Sequence, residues 1–251
     1  MIRISDFSPV TYLEEYYTKL DNENALILEF LAEVYQEIGR TKNLLELGGG
    51  PTIYQLISAA PKIENIVFTD YLEENLQVIR DWRANSKNIF DWTPYFERVL
   101  TAEGIKPTAD KIQNRKSELR RKIRSIPQVD ITNPHLLADT QYENTSFNII
   151  SSWFVLEAAV NSYSRFQKVI NNLRSNLTVN GYLIMGFITG ASTYKIGDQD
   201  HEVLNINPDF IQKSFKSAGF SPQNTKLITA SAQREYSHIY CTCARLEKIR
   251  G

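Results

Sequence analysis

The sequence predicts an α/β fold built on one open, seven-stranded, mostly parallel sheet with helices on both faces. Three observations carry the prediction. Residues 43–47 form a short apolar run that leads into Gly48-Gly49-Gly50-Pro51-Thr52, and a second apolar run, Ile66-Val67-Phe68-Thr69, ends at Asp70. Apolar runs of strand length then alternate with segments of helical spacing almost to the end of the chain. Last, residues 225–230 and 239–246 follow one another with no helix between them, which makes one strand of the sheet antiparallel.

Strand, glycine turn, helical stretch, strand and acid, in that order, form the first half of a nucleotide-binding α/β unit. The glycines let the backbone bend sharply and approach a ligand that a Cβ would push away. Asp70 lies about twenty residues past the turn, where an acid can accept from ribose hydroxyls. A dinucleotide fingerprint needs a third glycine three positions after the second. Ile53 stands there instead, behind Pro51 and Thr52, so the turn is shaped for something other than a pyrophosphate.

The other elements follow in order. Residues 5–20 carry Tyr12, Tyr16 and Tyr17 and read as an amphipathic helix with its rings packed inward. Asn22 is placed to cap the next helix, where Ile27, Leu28, Leu31, Val34, Tyr35 and Ile38 repeat at helical spacing until Gly39. Residues 53–60, 72–83 and 92–100 are expected to be helical. Residues 108–125 carry Lys111, Arg115, Lys116, Arg120, Arg121, Lys122 and Arg124 against Asp110 and Glu118. A solvated helix over a sheet edge accounts for them, and an RNA or acidic-partner surface is the alternative. Residues 127–131 read as the end of the third strand and 147–154 as the fourth. A helix over 163–177 is turned by Asn180-Gly181 into a fifth strand at 182–188. Tyr194 and a polar loop at 197–202 follow, then a helix over 208–218 stopped by Gly219, and the final two strands.

The chain has 251 residues, enough for one α/β domain. Its 28 basic and 29 acidic residues leave a net charge of −1, which argues against a polyanion as main partner. Cys241 and Cys243 lie two apart with no other cysteine to pair with, so a reducing cytoplasm is the expected location. The start lacks the apolar core of a signal peptide, and no apolar run reaches the length of a membrane span. His135, His201 and His238 show no metal-ligand spacing, and no metal is expected. The sequence has no Gly-x-Ser-x-Gly elbow, phosphate-binding lysine loop or Cys-x-x-Cys pair.

Glu46-Leu47-Gly48-Gly49-Gly50 resembles the acid-x-Gly-x-Gly motif of S-adenosylmethionine (SAM) methyltransferases. Longer words narrow the resemblance. Gly50-Pro51-Thr52-Ile53-Tyr54-Gln55-Leu56, Thr69-Asp70-Tyr71 with Asn75-Leu76, and Phe90-Asp91-Trp92-Thr93-Pro94 are similar to the small-molecule N-methyltransferases of nicotinamide, phenylethanolamine and indolethylamine. So are Phe7-x-Pro9-x-x-Tyr12-Leu13-Glu14-x-Tyr16-Tyr17, Leu156-Glu157-Ala158-Ala159 and Tyr194-x-Ile196-Gly197. The words keep the family's order and span residues 7–245.

The resemblance implies a Rossmann-like class I SAM methyltransferase: a single domain over 1–251, with an N-terminal helical lid at 1–40 and a basic helical insertion at 105–126. It implies SAM as cofactor. Gly48, Gly50 and Thr52 would admit its methionine end, and Tyr12, Tyr17 and Tyr54 would close on it. Asp70, Tyr71 and Asn75 would hold the ribose, Asp130 and Ile131 the adenine, and Trp153 would border the cofactor from the fourth strand. Asp130 also reads as a turn or helix-cap residue. The expected acceptor is a small amine, not a nucleic acid or a membrane, and the expected state is a monomer. Tyr16, Glu157, Phe187, Tyr194, His201 and Glu235 are the expected substrate residues, with Glu157 also catalytic, binding the cation and then accepting its proton.

Where nicotinamide methyltransferases carry an amide-binding acid and a hydroxyl residue, this sequence has Phe187 and Val203. Where phenylethanolamine enzymes carry an acid before the loop tyrosine, it has Ala191. Two remaining acids, Glu157 and Glu235, suggest a cationic acceptor, such as the cyclic guanidine bearing a primary amine that guanitoxin-pathway relatives handle. The rival readings are a NAD-dependent oxidoreductase, which the missing third glycine and the absence of a Tyr-x-x-x-Lys dyad oppose, and a methyltransferase-fold RNA-binding or scaffold protein. Glu157 has a structural alternative as well, as the cap of the helix beginning near Ala158.

Overall fold

The computed structural model describes residues 7–138 and 140–247. Its strands are β1 (Thr41–Leu47), β2 (Ile63–Thr69), β3 (Ile123–Ser125), β4 (Phe147–Trp153), β5 (Leu177–Thr189), β6 (Thr193–Ile196), β7 (Gln199–Glu202), β8 (Phe220–Thr229) and β9 (His238–Leu246). Seven of them form one sheet in the order β3-β2-β1-β4-β5-β9-β8, and β9 runs antiparallel to both its neighbours. The helices are α1 (Pro9–Tyr17), α2 (Asn22–Ile38), α3 (Glu73–Ala84), α4 (Thr93–Ala102), α5 (Ala109–Lys122), α6 (Leu156–Ala159), α7 (Tyr163–Ser175) and α8 (Pro208–Ser217).

The central strands are apolar without interruption because both faces of the sheet are covered. The pleat divides their side chains between two cores. Leu44, Ile66, Ile149 and Ile184 pack with α2, α4 and α5, while Leu45, Val67, Ile150 and Leu183 pack with α7 and α8. The cysteines of β9 are buried in the first of these cores, where burial pushes both thiols up, Cys243 to about 12. Among the described residues no helix is long and apolar enough to cross a membrane.

Several boundaries differ from the sequence expectation, each for a local reason. Residues 53–60 form one 3-10 turn, Tyr54–Leu56, followed by tight turns. Pro61 supplies no N–H and β2 begins at Ile63, so the segment is too short to continue as a helix. The cap of α2 is Asp21, whose carboxylate accepts from the Asn24 N–H at 2.8 Å, one residue before the expected Asn22. Strand β3 is finished by Ser125. Pro127 interrupts the ladder, and only a single bridge from Gln128 to Asp70 follows. Strand β5 begins at Leu177 and runs through Asn180-Gly181 instead of starting after it. Its register jumps from Leu177 opposite Phe147 to Tyr182 opposite Ile149, with Asn180 in the left-handed region at φ 64°. Strand β8 likewise starts at Phe220, with a register shift at Pro222 on the sheet edge. The polar loop at 197–202 belongs to a hairpin, β6 paired with β7 across a Gly197-Asp198 turn.

Three basic residues of α5 are drawn into the fold. Arg115 is buried, holds both Glu103 carboxylate oxygens at 3.0 and 2.7 Å, and donates to the Ile57 carbonyl. Lys116 donates to Thr93 and lies over the Phe96 ring. Arg120 stacks on Trp82 and donates to its carbonyl. These three cations dock α5 onto α3 and α4, while Lys111 and Arg121 stay exposed.

Candidate active site

The carboxyl ends of β1, β2 and β4 open into one cavity of about 600 Å³. At its floor the glycine turn leaves β1 with Gly48 at φ 68° and Gly50 at φ 62°. A Cβ on Gly48 would sit 2.6 Å from Val155 Cγ1, and one on Gly49 would collide with the Phe68 ring. Gly48 and Gly49 are therefore packed against Val155 and Phe68, while a Cβ on Gly50 would meet nothing within 4 Å. Glu46 supports the turn from inside the sheet, accepting from Gln55 Nε2 at 3.1 Å, while Gln55 also donates to the Gly49 carbonyl. Burial pushes the Glu46 carboxyl up to about 8. The Thr52 hydroxyl donates inward to the Gly49 carbonyl at 2.8 Å.

Asp70 ends β2 beside the turn. Its Oδ2 accepts from the Gly50 N–H at 2.8 Å, and its Oδ1 from the Leu72 N–H at 2.8 Å and Asn75 Nδ2 at 3.0 Å. Burial raises its pKa, and these hydrogen bonds oppose the rise. Tyr71, Asn75, Asp130 and Ile131 continue the lining on this side. Asp130 also makes the turn that was its alternative reading, accepting from the backbone and hydroxyl of Thr132.

Aromatic rings close the other side. Tyr17 stacks on Tyr54 at 5.3 Å between centroids, its hydroxyl lies 3.3 Å from that of Tyr12, and Trp153 meets Tyr54 edge-on. Every residue expected to hold the cofactor thus lines this cavity. So do Tyr16, Tyr194 and His201 of the expected substrate set, with Tyr194 stacked on His201 across the hairpin.

Three expectations are corrected. Glu157 lies behind the lining, fully buried. Its Oε1 accepts from the Ile188 N–H at 2.8 Å, its carbonyl accepts from the Leu204 N–H, and burial pushes its carboxyl up to about 8. Helix α6 is a single turn that presents Ala158 and Ala159 to the cavity and turns Glu157 inward. Phe187 alternates with Ile188 across the pleat: Ile188 lines the cavity, and Phe187 packs on Phe166 and Phe215 in the opposite core. Glu235 is exposed outside the lining, and the inner positions of its loop are taken by Arg234 and Tyr236.

Arg234, Tyr236, Glu23, Asn24 and Phe154 also line the cavity, beyond the residues the sequence points to. Glu23 had a readable signal, because it sits four residues before Ile27 on the buried stripe of α2. Phe154 holds φ 60°, an unusual conformation for a bulky residue. Arg234 and Tyr236 arrive from a loop of no pattern.

The model of the NNMT/PNMT/TEMT family matches residues 3–244. The chain belongs to that family. A nicotinamide N-methyltransferase of Sus scrofa is 29% identical over 235 residues, covering 91% of this chain and 87% of the relative. A phenylethanolamine N-methyltransferase of the same organism is 26% identical, covering 90% and 82%. Among solved structures, the N-methyltransferase NodS from Bradyrhizobium japonicum WM9, in complex with S-adenosyl-L-homocysteine (SAH), superposes with a TM-score of 0.55 at 13% identity. That superposition covers 96% of this chain and 100% of NodS, and the likeness establishes the class I fold that the NNMT/PNMT/TEMT chain adopts here.

Proposed function

We propose that this chain is a SAM-dependent N-methyltransferase whose acceptor is a small amine. The observation that carries the reading is that one cavity joins the glycine turn and Asp70 to an aromatic chamber lined by α1, the β6–β7 hairpin and the β8–β9 loop. The lining suits the cofactor chemically. The open space at Gly50 admits a close ligand, Asp70 and Asn75 offer a carboxylate and an amide to a ribose, and Ile131 offers an apolar face to a base. When bound, SAM supplies a methyl group already activated by its sulfonium.

What remains for the protein is to orient the acceptor nitrogen, exclude water and deal with a proton. An alkylamine with a solution pKa near about 10 is neutral about one part in a thousand at pH 7, a cost of about 4 kcal/mol. The rings of Tyr12, Tyr16, Tyr17, Tyr194 and Trp153 desolvate an ammonium and so lower its pKa. Glu157 is better read as a positioning residue. It ties the end of β5 to α6 and to the stretch after the hairpin, and so fixes the wall on which an acceptor rests.

In this reading the chain is one catalytic domain, α1 is its lid, and the basic helix α5 is a structural insertion. A cyclic guanidine bearing a primary amine remains the finer proposal for the acceptor. It is supported by a lining with carboxylates but with apolar Val203 and Ile188 on the wall beside the hairpin. Incubating the protein with SAM and a panel of small amines, then searching by mass spectrometry for an added methyl, tests the activity. SAH but not NAD is expected to bind by calorimetry. NAD binding without SAH binding would overturn the reading.

A further inference from the structure

Two buried carboxylates lie on the lining of the cavity. One is Asp70, beside the glycine turn. The other is Glu23, on the first turn of α2, and the cofactor reading gives it no task. Glu23 is only 5% exposed. The β8–β9 loop folds over it: its Oε1 accepts from the Ser231 N–H at 2.7 Å and its Oε2 from the Tyr236 hydroxyl at 2.6 Å. A carboxylate has about four acceptor positions, so these two bonds leave Glu23 able to accept from a ligand.

The charge around it is unbalanced. Arg234 lies flat over the Tyr16 ring at 4.7 Å and gives its closest ionic contact, 3.0 Å, to Asp21. Its Nε stands 3.7 Å from Glu23 Oε2. One guanidinium thus faces two carboxylates, Asp21, which is about a third exposed, and the buried Glu23, and it lies closer to Asp21. The buried Glu23 therefore has no close ionic partner of its own, and a further cation on the cavity side would supply one. The Tyr16 ring beside it already carries one cation, Arg234, on its π face. The other carboxylates expected to meet an acceptor are elsewhere: Glu157 is behind the wall and Glu235 is outside.

We propose that Glu23 is the specificity-determining residue of the acceptor site, and that it takes a cationic ammonium or guanidinium group, with Tyr236 and Ser231 holding the carboxylate in place. The proposal deepens the amine-acceptor reading and rests on it. The test measures binding, so that it does not depend on turnover. Benzylammonium, phenylguanidinium and the neutral benzyl alcohol are titrated calorimetrically into the protein with and without SAH. In the wild type the two cations are expected to bind at least about 10-fold more tightly than the alcohol. Glu23→Gln is expected to abolish that preference while SAH affinity stays within about 2-fold. Tyr236→Phe, which leaves the carboxylate in place, is expected to retain most of it. No preference for the cations in the wild type, or a preference that survives Glu23→Gln, would overturn the proposal. The wild-type comparison decides even if the Gln variant does not fold. A cation preference that depends on Glu23, in a protein that transfers no methyl group to any amine, would sink the methyltransferase reading and leave this site standing.

Discussion

Asp70 accepts from three donors of its own chain, one in the glycine turn (Gly50) and two at the start of α3 (Leu72 and Asn75). Asp70→Ala therefore removes the proposed ribose acceptor and loosens the turn that faces it. SAH affinity is expected to fall by about 2–4 kcal/mol, the loss of charge-assisted hydrogen bonds. Unchanged affinity by calorimetry would remove Asp70 from the cofactor site. Gly48→Ala tests the turn itself. The new Cβ would meet Val155 at 2.6 Å on a backbone at φ 68°, so a loss on the order of 1–3 kcal/mol in stability is expected by thermal melting. A melting curve equal to wild type would mean that the turn rearranges freely. Both residues were legible in the sequence because their roles are set by neighbours in a short motif. Glu157 was legible as a residue and not as a direction. A one-turn helix has no periodicity from which to read which way a side chain points, and its carboxylate went inward to Ile188.

Elements with a full period are legible in the sequence, and short or interrupted ones are not. Helix α2 and strands β1, β2 and β4 follow apolar patterns that tertiary packing only had to accept. The 3-10 turn at Tyr54–Leu56, the irregular β5 and the β6–β7 hairpin depend on where neighbouring elements stop, which no local pattern records. The hairpin matters most for the site. It meets α1 through two bonds far apart in sequence, Tyr16 Oη donating to the Lys195 carbonyl at 2.6 Å and the Gly197 N–H donating to Glu15 Oε1 at 2.8 Å. Helix α1 is short and rests largely on aromatic contacts facing the cavity, so its docking should strengthen when the cavity is filled. Limited proteolysis is expected to cut near Tyr12 several-fold more slowly with SAH than without it. Equal cleavage in both states would refute α1 as a lid.

At the scale of the whole molecule, two carboxyls with no exposure flank the carboxyl ends of the central strands: Glu46 in β1 and Glu157 just after β4. Burial raises both from about 4.5 to about 8. The folded protein then holds protons that the unfolded chain releases, so these groups stabilise the fold fully below about pH 4.5. Their contribution falls as pH rises, and is lost by about pH 8. Melting temperature is therefore expected to decline between about pH 5 and pH 8, over and above any acid-side loss. Glu157→Gln replaces one of the two with a neutral amide of the same shape, and its carbonyl can still accept from Ile188. At pH 5 the variant should match wild type. At pH 8 it should be more stable by on the order of 2–4 kcal/mol, because wild type there folds only by taking up a proton or burying a charge. The same variant separates two roles in turnover. A positioning carboxyl that is protonated at pH 7 is well copied by Gln, so methyl transfer should stay within a few-fold of wild type. A carboxylate base would lose one to several orders of magnitude, and lose less as pH rises and solvent supplies neutral amine. Melting curves from pH 5 to pH 8, beside a pH–rate profile of the Gln variant, decide between them. A steep rate loss with no gain in stability at pH 8 would return Glu157 to the reacting atoms and require its side chain to leave Ile188 during catalysis.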